Sequence, residues 1–157
     1  MILGVDPGLA SCGWAVLANR DRLLDCGCIV TKKNDDLGDR LNKIYHQIKN
    51  ICQDHKVEEL AIESLFFAKN TKTALVVAQV IGVVKAAAFD VGAGAFEYTP
   101  LQIKVAITGY GRAEKNQVAA MIKESLGDNG KLANNHTADA AAAALTHLFT
   151  MKKEILT

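Results

Sequence analysis

The sequence predicts an α/β fold, with a mixed five-stranded sheet flanked by helices on both faces. Three strand-like segments separated by short turns occupy the N-terminal part of the chain. Segments of helical and strand period then alternate, and the last segments are helical. Short turns join antiparallel neighbours, whereas a helix between two strands favours a parallel crossover. The sheet should therefore contain both orientations.

The first three strands are short apolar runs that end at turn residues. Residues 2–6 end at Pro7-Gly8, residues 13–17 precede the polar turn Asn19-Arg20-Asp21, and residues 23–31 are rich in Leu, Ile and Val. Connections this short predict an antiparallel meander.

The period then changes to that of a helix. Asp35 or Asp36 can cap it, and its apolar positions recur at helical spacing: Leu37, Leu41, Ile44, Ile48, Ile51 and Cys52. Residues 57–62 return to a strand with Glu63 at its C-terminal end. A long helix is predicted from about residue 71 to 91. Its small residues Ala78, Gly82 and Ala86 permit close approach of another helix, within the domain or across a dimer.

The remaining elements are marked by their breakers. Residues 95–98 form the fifth predicted strand, and Pro100 suits the first turn of the next helix. Gly109-Tyr110-Gly111 interrupts the chain before a helix over residues 115–126. Asn134 or Asn135 can cap the last helix, which is predicted to reach about Thr150 and contains the alanine run of residues 140–144.

Composition limits the class of protein more than its partner. The chain has 157 residues, of which 50% are hydrophobic and 22% charged, so one globular domain over residues 1–157 is expected. Its net charge of +1 does not indicate a nucleic-acid partner, and any basic surface must arise by local segregation of charge. Without a signal peptide or an apolar span, we expect a soluble cytoplasmic protein with no membrane partner and four reduced cysteines.

Three carboxylates and one histidine stand where the predicted elements can bring them together. Asp6 ends the first strand, Glu63 ends the fourth, and Asp139 lies near the start of the last helix, three residues after His136. Taken singly, each has a simpler explanation as a turn residue, a solvated strand end or a helix-terminal residue. The set is the informative observation.

Clustered carboxylates repel one another, and burial raises that cost, so a fold keeps them if a cation neutralises them. Oxygen ligands suit Mg²⁺ or Mn²⁺, and an imidazole tolerates Mn²⁺ as well. Two such ions about 3.5–4 Å apart can activate a water and stabilise the leaving oxygen of a phosphodiester. The pattern therefore indicates hydrolysis of a nucleic-acid backbone.

Four segments in order resemble the RuvC-type Holliday-junction resolvases of the RNase H-like superfamily, over nearly the whole chain. They are residues 2–8 (ILGVDPG), 61–70 (AIESLFFAKN), 111–118 (GRAEKNQV) and 138–147 (ADAAAAALTH). The resemblance implies an RNase H-like fold and a homodimer whose two active sites, each with two Mg²⁺ ions, nick opposite strands of a four-way DNA junction. It also implies a role in recombination and repair, and a branch-migration helicase complex as a further partner.

The resemblance implies roles for individual residues. Asp6, Glu63 and Asp139 would be catalytic metal ligands, and His136 stands where many members have a fourth Asp. His136 would bind metal through a ring nitrogen or move a proton to the leaving group. This departure leaves the metal preference and the pH optimum open.

The resemblance implies four DNA-binding positions. Lys104 and Lys115 match basic positions near the scissile phosphate, with a surface lysine as the alternative for Lys104. Phe66 matches an aromatic that stacks at the junction centre, or else it covers the edge of the core. Lys69 extends that surface with positive charge.

Two other functions remain alternatives. A less selective RNase H-like nuclease acting on branched DNA or RNA–DNA hybrids would have the same acidic site. A non-catalytic junction-binding module would not need the clustered carboxylates, which argues against it. An actin-like sugar kinase shares the Asp-Pro-Gly turn but needs a much longer chain. The preferred cleavage sequence is not determined by these residues.

Overall fold

The computed structural model describes residues 1–64, 71–127, 130, 132 and 134–154, with the backbone alone for residues 71, 72 and 152–154. Strands come first and helices dominate the second half. The elements in chain order are β1 (Ile2–Asp6), β2 (Ser11–Asn19), β3 (Arg22–Val30), α1 (Leu37–Asp54), β4 (Glu59–Glu63), α2 (Thr71–Phe89), β5 (Gly94–Tyr98), α3 (Pro100–Thr108), α4 (Lys115–Leu126) and α5 (Asn135–Glu154).

The five strands form one mixed sheet in the order β3-β2-β1-β4-β5. β2 pairs antiparallel with both β1 and β3, whereas β4 pairs parallel with β1 and with β5. This confirms the predicted meander followed by parallel additions. Because β1 and β4 are parallel neighbours, their C-terminal ends lie at the same edge of the sheet.

Hydrophobic cores lie on both faces of the sheet, so the predicted flanking by helices is confirmed. Side chains alternate along a strand, and in β1 Leu3 and Val5 pack with residues of α1 and α2. Ile2 faces the other way and packs with residues of α3, α4 and α5. α5 contributes an almost continuous buried run there, from Ala140 to Leu145.

Most predicted helix starts are confirmed by their caps. Asp36 caps α1 by accepting a hydrogen bond from the Gly38 N–H at 2.9 Å. Asn134 rather than Asn135 caps α5, since its side-chain oxygen accepts from the His136 N–H at 2.9 Å. α3 begins with Pro100 after the Thr99 cap and ends at Gly109, whose φ of 73° is left-handed.

The predicted bounds of β2, β3, β4, β5, α2 and α5 differ from the structure, by one or two residues except at the end of α5. β2 begins at Ser11 and ends at Asn19, because its backbone pairs with β3 from Ser11↔Val30 to Asn19↔Arg22. Ladder hydrogen bonds join backbone groups, so polar residues continue a strand that apolar alternation alone would end. α5 continues past Thr150 to Glu154.

The small-residue face of α2 points outward. Ala78, Gly82 and Ala86 are exposed, and a Cβ built on Gly82 would meet no atom within 4 Å. The alternative in which this face packs inside the domain is therefore wrong. Among the described residues, no helix combines the length and the apolar character needed to cross a membrane.

Candidate active site

Asp6 and Glu63 lie at adjacent strand ends. In the parallel pairing of β1 with β4, Val5 stands opposite Ile62, so the next residue on each strand is one of these two acids. Alternation along the strands directs both toward the face covered by α5. The strand register therefore brings both acids to one edge of the sheet, in keeping with the expectation that the predicted elements bring them together.

Two glycines bring α5 against this edge. A Cβ on Gly4 would lie 1.9 Å from the Ala140 carbonyl oxygen, and one on Gly13 would lie 2.2 Å from the His136 carbonyl oxygen. Gly13 is also the residue paired with Asp6 across β1 and β2. The helix backbone can approach this closely because the strands carry no side chain at these points.

Two hydrogen-bonded pairs connect α5 to the end of β1 and to the start of α4. His136 Nδ1 lies 2.7 Å from Asp6 Oδ2, and the Lys115 Nζ donates to Asp139 Oδ2 at 2.7 Å. The partners are separated by 130 and 24 residues in sequence. The predicted set of Asp6, His136, Asp139 and Lys115 is thus brought into one region.

The acids stand in an environment that disfavours their charge. Burial raises the pKa of Glu63 to about 7, and repulsion from Asp6 and Asp139 adds to this, against the attraction of Lys115. Burial also raises the pKa of Asp6, more than its hydrogen bond with His136 lowers it. The hydrogen bond to Asp139 also raises the pKa of Lys115, but for a lysine a raised pKa means that the charged form is favoured.

A cleft of about 230 Å³ opens beside these residues. Its polar lining is Glu63 and Asp139 with Lys104 and Lys115, and its apolar lining is Pro100, Ile103, Val118 and Ala142. Lys104 is therefore beside the acids rather than on a remote face of α3. Two cations and two carboxylates around one cleft suit a phosphodiester group, since the cations attract its charge.

The carboxylates of the site are suitable ligands for a divalent cation, although their side chains are not arranged as a preformed metal site. Over the ranges that the structure describes, no three side chains of His, Cys, Asp and Glu stand as a group that could hold a metal ion. Asp6 pairs with His136 and Asp139 with Lys115 instead. The carboxylate oxygens are nevertheless hard ligands. Burial raises the pKa of Glu63 most, and a cation would relieve the repulsion from Asp6 and Asp139 that adds to it.

Two predicted DNA-binding residues, Phe66 and Lys69, lie outside the described residues. Conversely, sequence reasoning did not identify the roles of Gly4 and Gly13. A glycine within an apolar strand is a signal of close backbone approach, and both positions carry that signal. The apolar wall of the cleft had no comparable signal, because Pro100 and Val118 resemble ordinary helix residues.

The chain is similar to crossover junction nucleases over almost its entire length. Residues 2–147 match the family model described as "Crossover junction endodeoxyribonuclease RuvC". A relative with that name from Pelotomaculum thermopropionicum is 43% identical over 150 residues, covering 94% of this chain and 92% of the relative. Another from Finegoldia magna is 41% identical over 158 residues, covering 99% and 96%.

Solved structures share the fold as well. The Thermus thermophilus RuvC structure superposes with a TM-score of 0.91 at 31% identity, covering 98% of this chain and 96% of that one. T. thermophilus RuvC in complex with Holliday junction substrate gives 0.88 at 29% identity, covering 97% and 95%. The yeast mitochondrial Holliday junction resolvase Ydc2 gives 0.62 at 14% identity, a likeness of fold alone.

Proposed function

Because the chain belongs to the RuvC family of crossover junction endodeoxyribonucleases, we propose that it resolves Holliday junctions by paired symmetric nicks. It is a nuclease of recombination and repair, and it uses a divalent metal ion, as its family does. The single observation that supports the site of cleavage is the cleft where Glu63 and Asp139 face Lys104 and Lys115.

We propose Mg²⁺ as the ion, with Mn²⁺ as a substitute, and two ions at each site. Asp6, Glu63 and Asp139 would hold them through carboxylate oxygens, and His136 would either add a ring nitrogen as a ligand or move a proton to the leaving group. When bound, such ions lower the pKa of a water and stabilise charge on the leaving oxygen. Two of the three acids, Asp6 and Glu63, have raised pKa values. A bound cation would lower these pKa values because it favours the charged carboxylate.

The side chains themselves orient the substrate and move protons. Lys104 and Lys115 line the cleft, where their ammonium groups attract the scissile phosphate. Lys115 is also hydrogen-bonded to Asp139 and so fixes that carboxylate. The hydrogen bond between Nδ1 and the Asp6 carboxylate orients the His136 ring. Its Nε2 is then the nitrogen that remains, either as a metal ligand or as the atom that would pass a proton to the leaving 3′-oxygen.

The test is cleavage of a labelled four-way junction beside matched linear duplex and RNA–DNA hybrid, with Mg²⁺, Mn²⁺ or EDTA. We expect metal-dependent paired nicks confined to the junction. Cutting of the hybrid or of flaps would move the function to the broader nuclease. Tight junction binding without cleavage under either metal would favour the non-catalytic module.

We further propose a homodimer that uses the exposed face of α2. Two large apolar side chains, Leu75 and Phe89, are 60% and 63% exposed at its ends. The small residues Ala78, Gly82 and Ala86 lie between them on the same side. Exposed apolar surface of this kind marks an interaction site, and small residues allow a second helix to approach closely. Paired nicks need two active sites, which a symmetric dimer supplies.

The dimer is tested by light scattering of the wild type and of Gly82→Glu, which places a charge where a Cβ now meets nothing. We expect a twofold difference in mass and loss of paired nicking. A dimeric mass for both proteins would place the dimer interface elsewhere, and a monomeric mass for the wild type would contradict the homodimer.

The remaining proposals also rest on the resemblance to the RuvC family. Phe66 would stack at the junction centre and Lys69 would contact the backbone, although both lie outside the described residues. Residues 1–157 would act as one nuclease domain, since both cores share one sheet. The protein would work in the cytoplasm, with a branch-migration helicase complex as a further partner.

A further inference from the structure

A second groove adjoins the catalytic cleft and has a different character. It encloses about 370 Å³ between α3 and the loop that follows it, and its lining residues are Thr99, Pro100, Leu101, Lys104 and Gly111. Leu101 is 60% exposed, and a Cβ on Gly111 would lie 2.7 Å from its Cδ1. The groove is thus open because residue 111 has no side chain.

The groove offers few side-chain hydrogen-bond partners to a hydroxyl group. The Thr99 hydroxyl is occupied by the cap of α3, where it accepts from the Gln102 N–H at 3.2 Å and donates to the Gln102 side-chain oxygen at 3.0 Å. The other lining side chains are apolar, except for the ammonium of Lys104. When a phosphate engages the Lys104 ammonium, an inserted hydroxyl would therefore lose water without gaining another side-chain partner.

The groove is continuous with the cleft. Pro100 and Lys104 line both. A strand whose phosphate lay beside Glu63 and Asp139 could therefore place its neighbouring sugar near Leu101. Lys104 lines both spaces, and its ammonium suits a phosphate that links one nucleotide to the next. The apolar wall suits the C2′ face of a deoxyribose, which has no hydroxyl.

We propose that this groove is a deoxyribose subsite, through which the enzyme rejects ribose beside the scissile phosphate. The proposal deepens the proposed function and rests on it. It assigns to Leu101 and Gly111 a specificity-determining role that acid and metal chemistry cannot supply, because the reacting phosphodiester is the same in DNA and RNA. The missing 2′-hydroxyl is the feature that distinguishes the two sugars at one position.

The experiment replaces the deoxyriboses flanking the scissile phosphate, one position at a time, in an otherwise all-DNA junction. Each position carries deoxyribose, ribose or 2′-fluoro-deoxyribose, since fluorine shares the ribose pucker but cannot donate a hydrogen bond. We expect ribose to lower kcat/KM about 10- to 100-fold at one position, and 2′-fluoro to be cut nearly as well as deoxyribose there.

Two variants test the groove itself. Leu101→Ser supplies a hydroxyl partner and should reduce the deoxyribose-to-ribose ratio severalfold. Gly111→Ala should lower kcat/KM for the all-DNA junction, because its methyl group enters the groove. Val30→Ser is the matched control, since Val30 is 61% exposed on the edge strand β3 and should keep the wild-type ratio.

Three outcomes would overturn the proposal: equal cleavage with ribose at every position, an equal penalty for 2′-fluoro, or an unchanged ratio in Leu101→Ser. A shift of the monomer–dimer equilibrium in Leu101→Ser, with the ratio unchanged, would assign the groove to a second copy of the chain. If the wild type fails to cut the all-DNA junction, the proposed function itself is wrong. Normal cutting with indifference to ribose removes the subsite alone.

Discussion

At the scale of single residues, the surroundings of Asp6 and Glu63 disfavour their charged forms, which a bound cation would favour. Burial is the largest cause of the raised pKa of both Asp6 and Glu63, and their mutual repulsion adds to it for Glu63. The hydrogen bond with His136 lowers the pKa of Asp6 in part, and the ammonium of Lys115 lowers that of Glu63 in part. Two consequences can be measured, one in catalysis and one in stability.

The first concerns the carboxylates. Asp6→Asn, Glu63→Gln or Asp139→Asn should reduce cleavage of a four-way junction by at least about 1,000-fold while leaving junction affinity within severalfold, because the amide cannot supply a charged oxygen ligand. Single-turnover cleavage and a gel-shift titration measure the two effects. His136→Ala should reduce the rate less and change its pH profile. Normal activity in any carboxamide variant would remove that residue from the site.

The second concerns the pH dependence of stability without divalent cations. The folded protein binds a proton at Glu63 with a pKa of about 7, against 4.5 for an unperturbed Glu. Stability from this group is therefore complete below pH 4.5 and lost as the pH rises through 7. Denaturant unfolding in EDTA should show a loss of about 2 kcal/mol over this window, reduced from the full shift by solvent screening.

Glu63→Gln should remove most of that slope. The matched variant Glu58→Gln should keep it, because the Met1 ammonium lowers the pKa of Glu58 and its contribution falls below this window. A wild-type slope in Glu63→Gln would show that Glu63 is not the group that titrates.

At the scale of elements, the site depends on how closely α5 lies against the sheet. Gly13→Ala would place a methyl group 2.2 Å from the His136 carbonyl oxygen, which is backbone and cannot rotate away. α5 must then shift, and a displacement of about 1 Å in a catalytic group costs roughly 100-fold in rate. We expect that loss in kcat together with about 1–3 kcal/mol of stability.

Gly38→Ala is the control for this change. A Cβ there would lie 3.5 Å from Asp36 Oδ1, an ordinary contact in the first turn of α1. Its activity should equal that of the wild type. Full activity in Gly13→Ala would mean that α5 need not lie so close for catalysis.

At the scale of the whole molecule, charge is nearly balanced, so affinity must come from a local concentration of cations. The net charge is +1, yet Lys104 and Lys115 line one cleft. Junction affinity should fall steeply between low and physiological salt because binding releases counterions from the phosphates. Lys104→Ala should reduce the slope of log K against log salt by about 1. A flat salt response would argue against binding dominated by phosphate contacts.

Much of the fold was predictable because its signals are local. The strand and helix periods, the Asp36 cap and the Pro100 helix start each depend on a few neighbouring residues. Boundaries were less predictable, as in β2, since a ladder extends wherever its partner strand continues. The outward direction of Ala78, Gly82 and Ala86 was not determined by spacing, because a small-residue face suits a partner on either side.

The sequence by itself determined the kinds of residue at the site and their positions at the ends of elements. Asp6 and Glu63 follow apolar strands, and Asp139 follows His136 by one helical turn. Only the tertiary structure decided that His136 pairs with Asp6 across 130 residues and that Lys115 pairs with Asp139. Such pairs depend on the packing distance between a helix and a sheet. That distance is set by Gly4 and Gly13 together with the alanines of α5, and no local period encodes it.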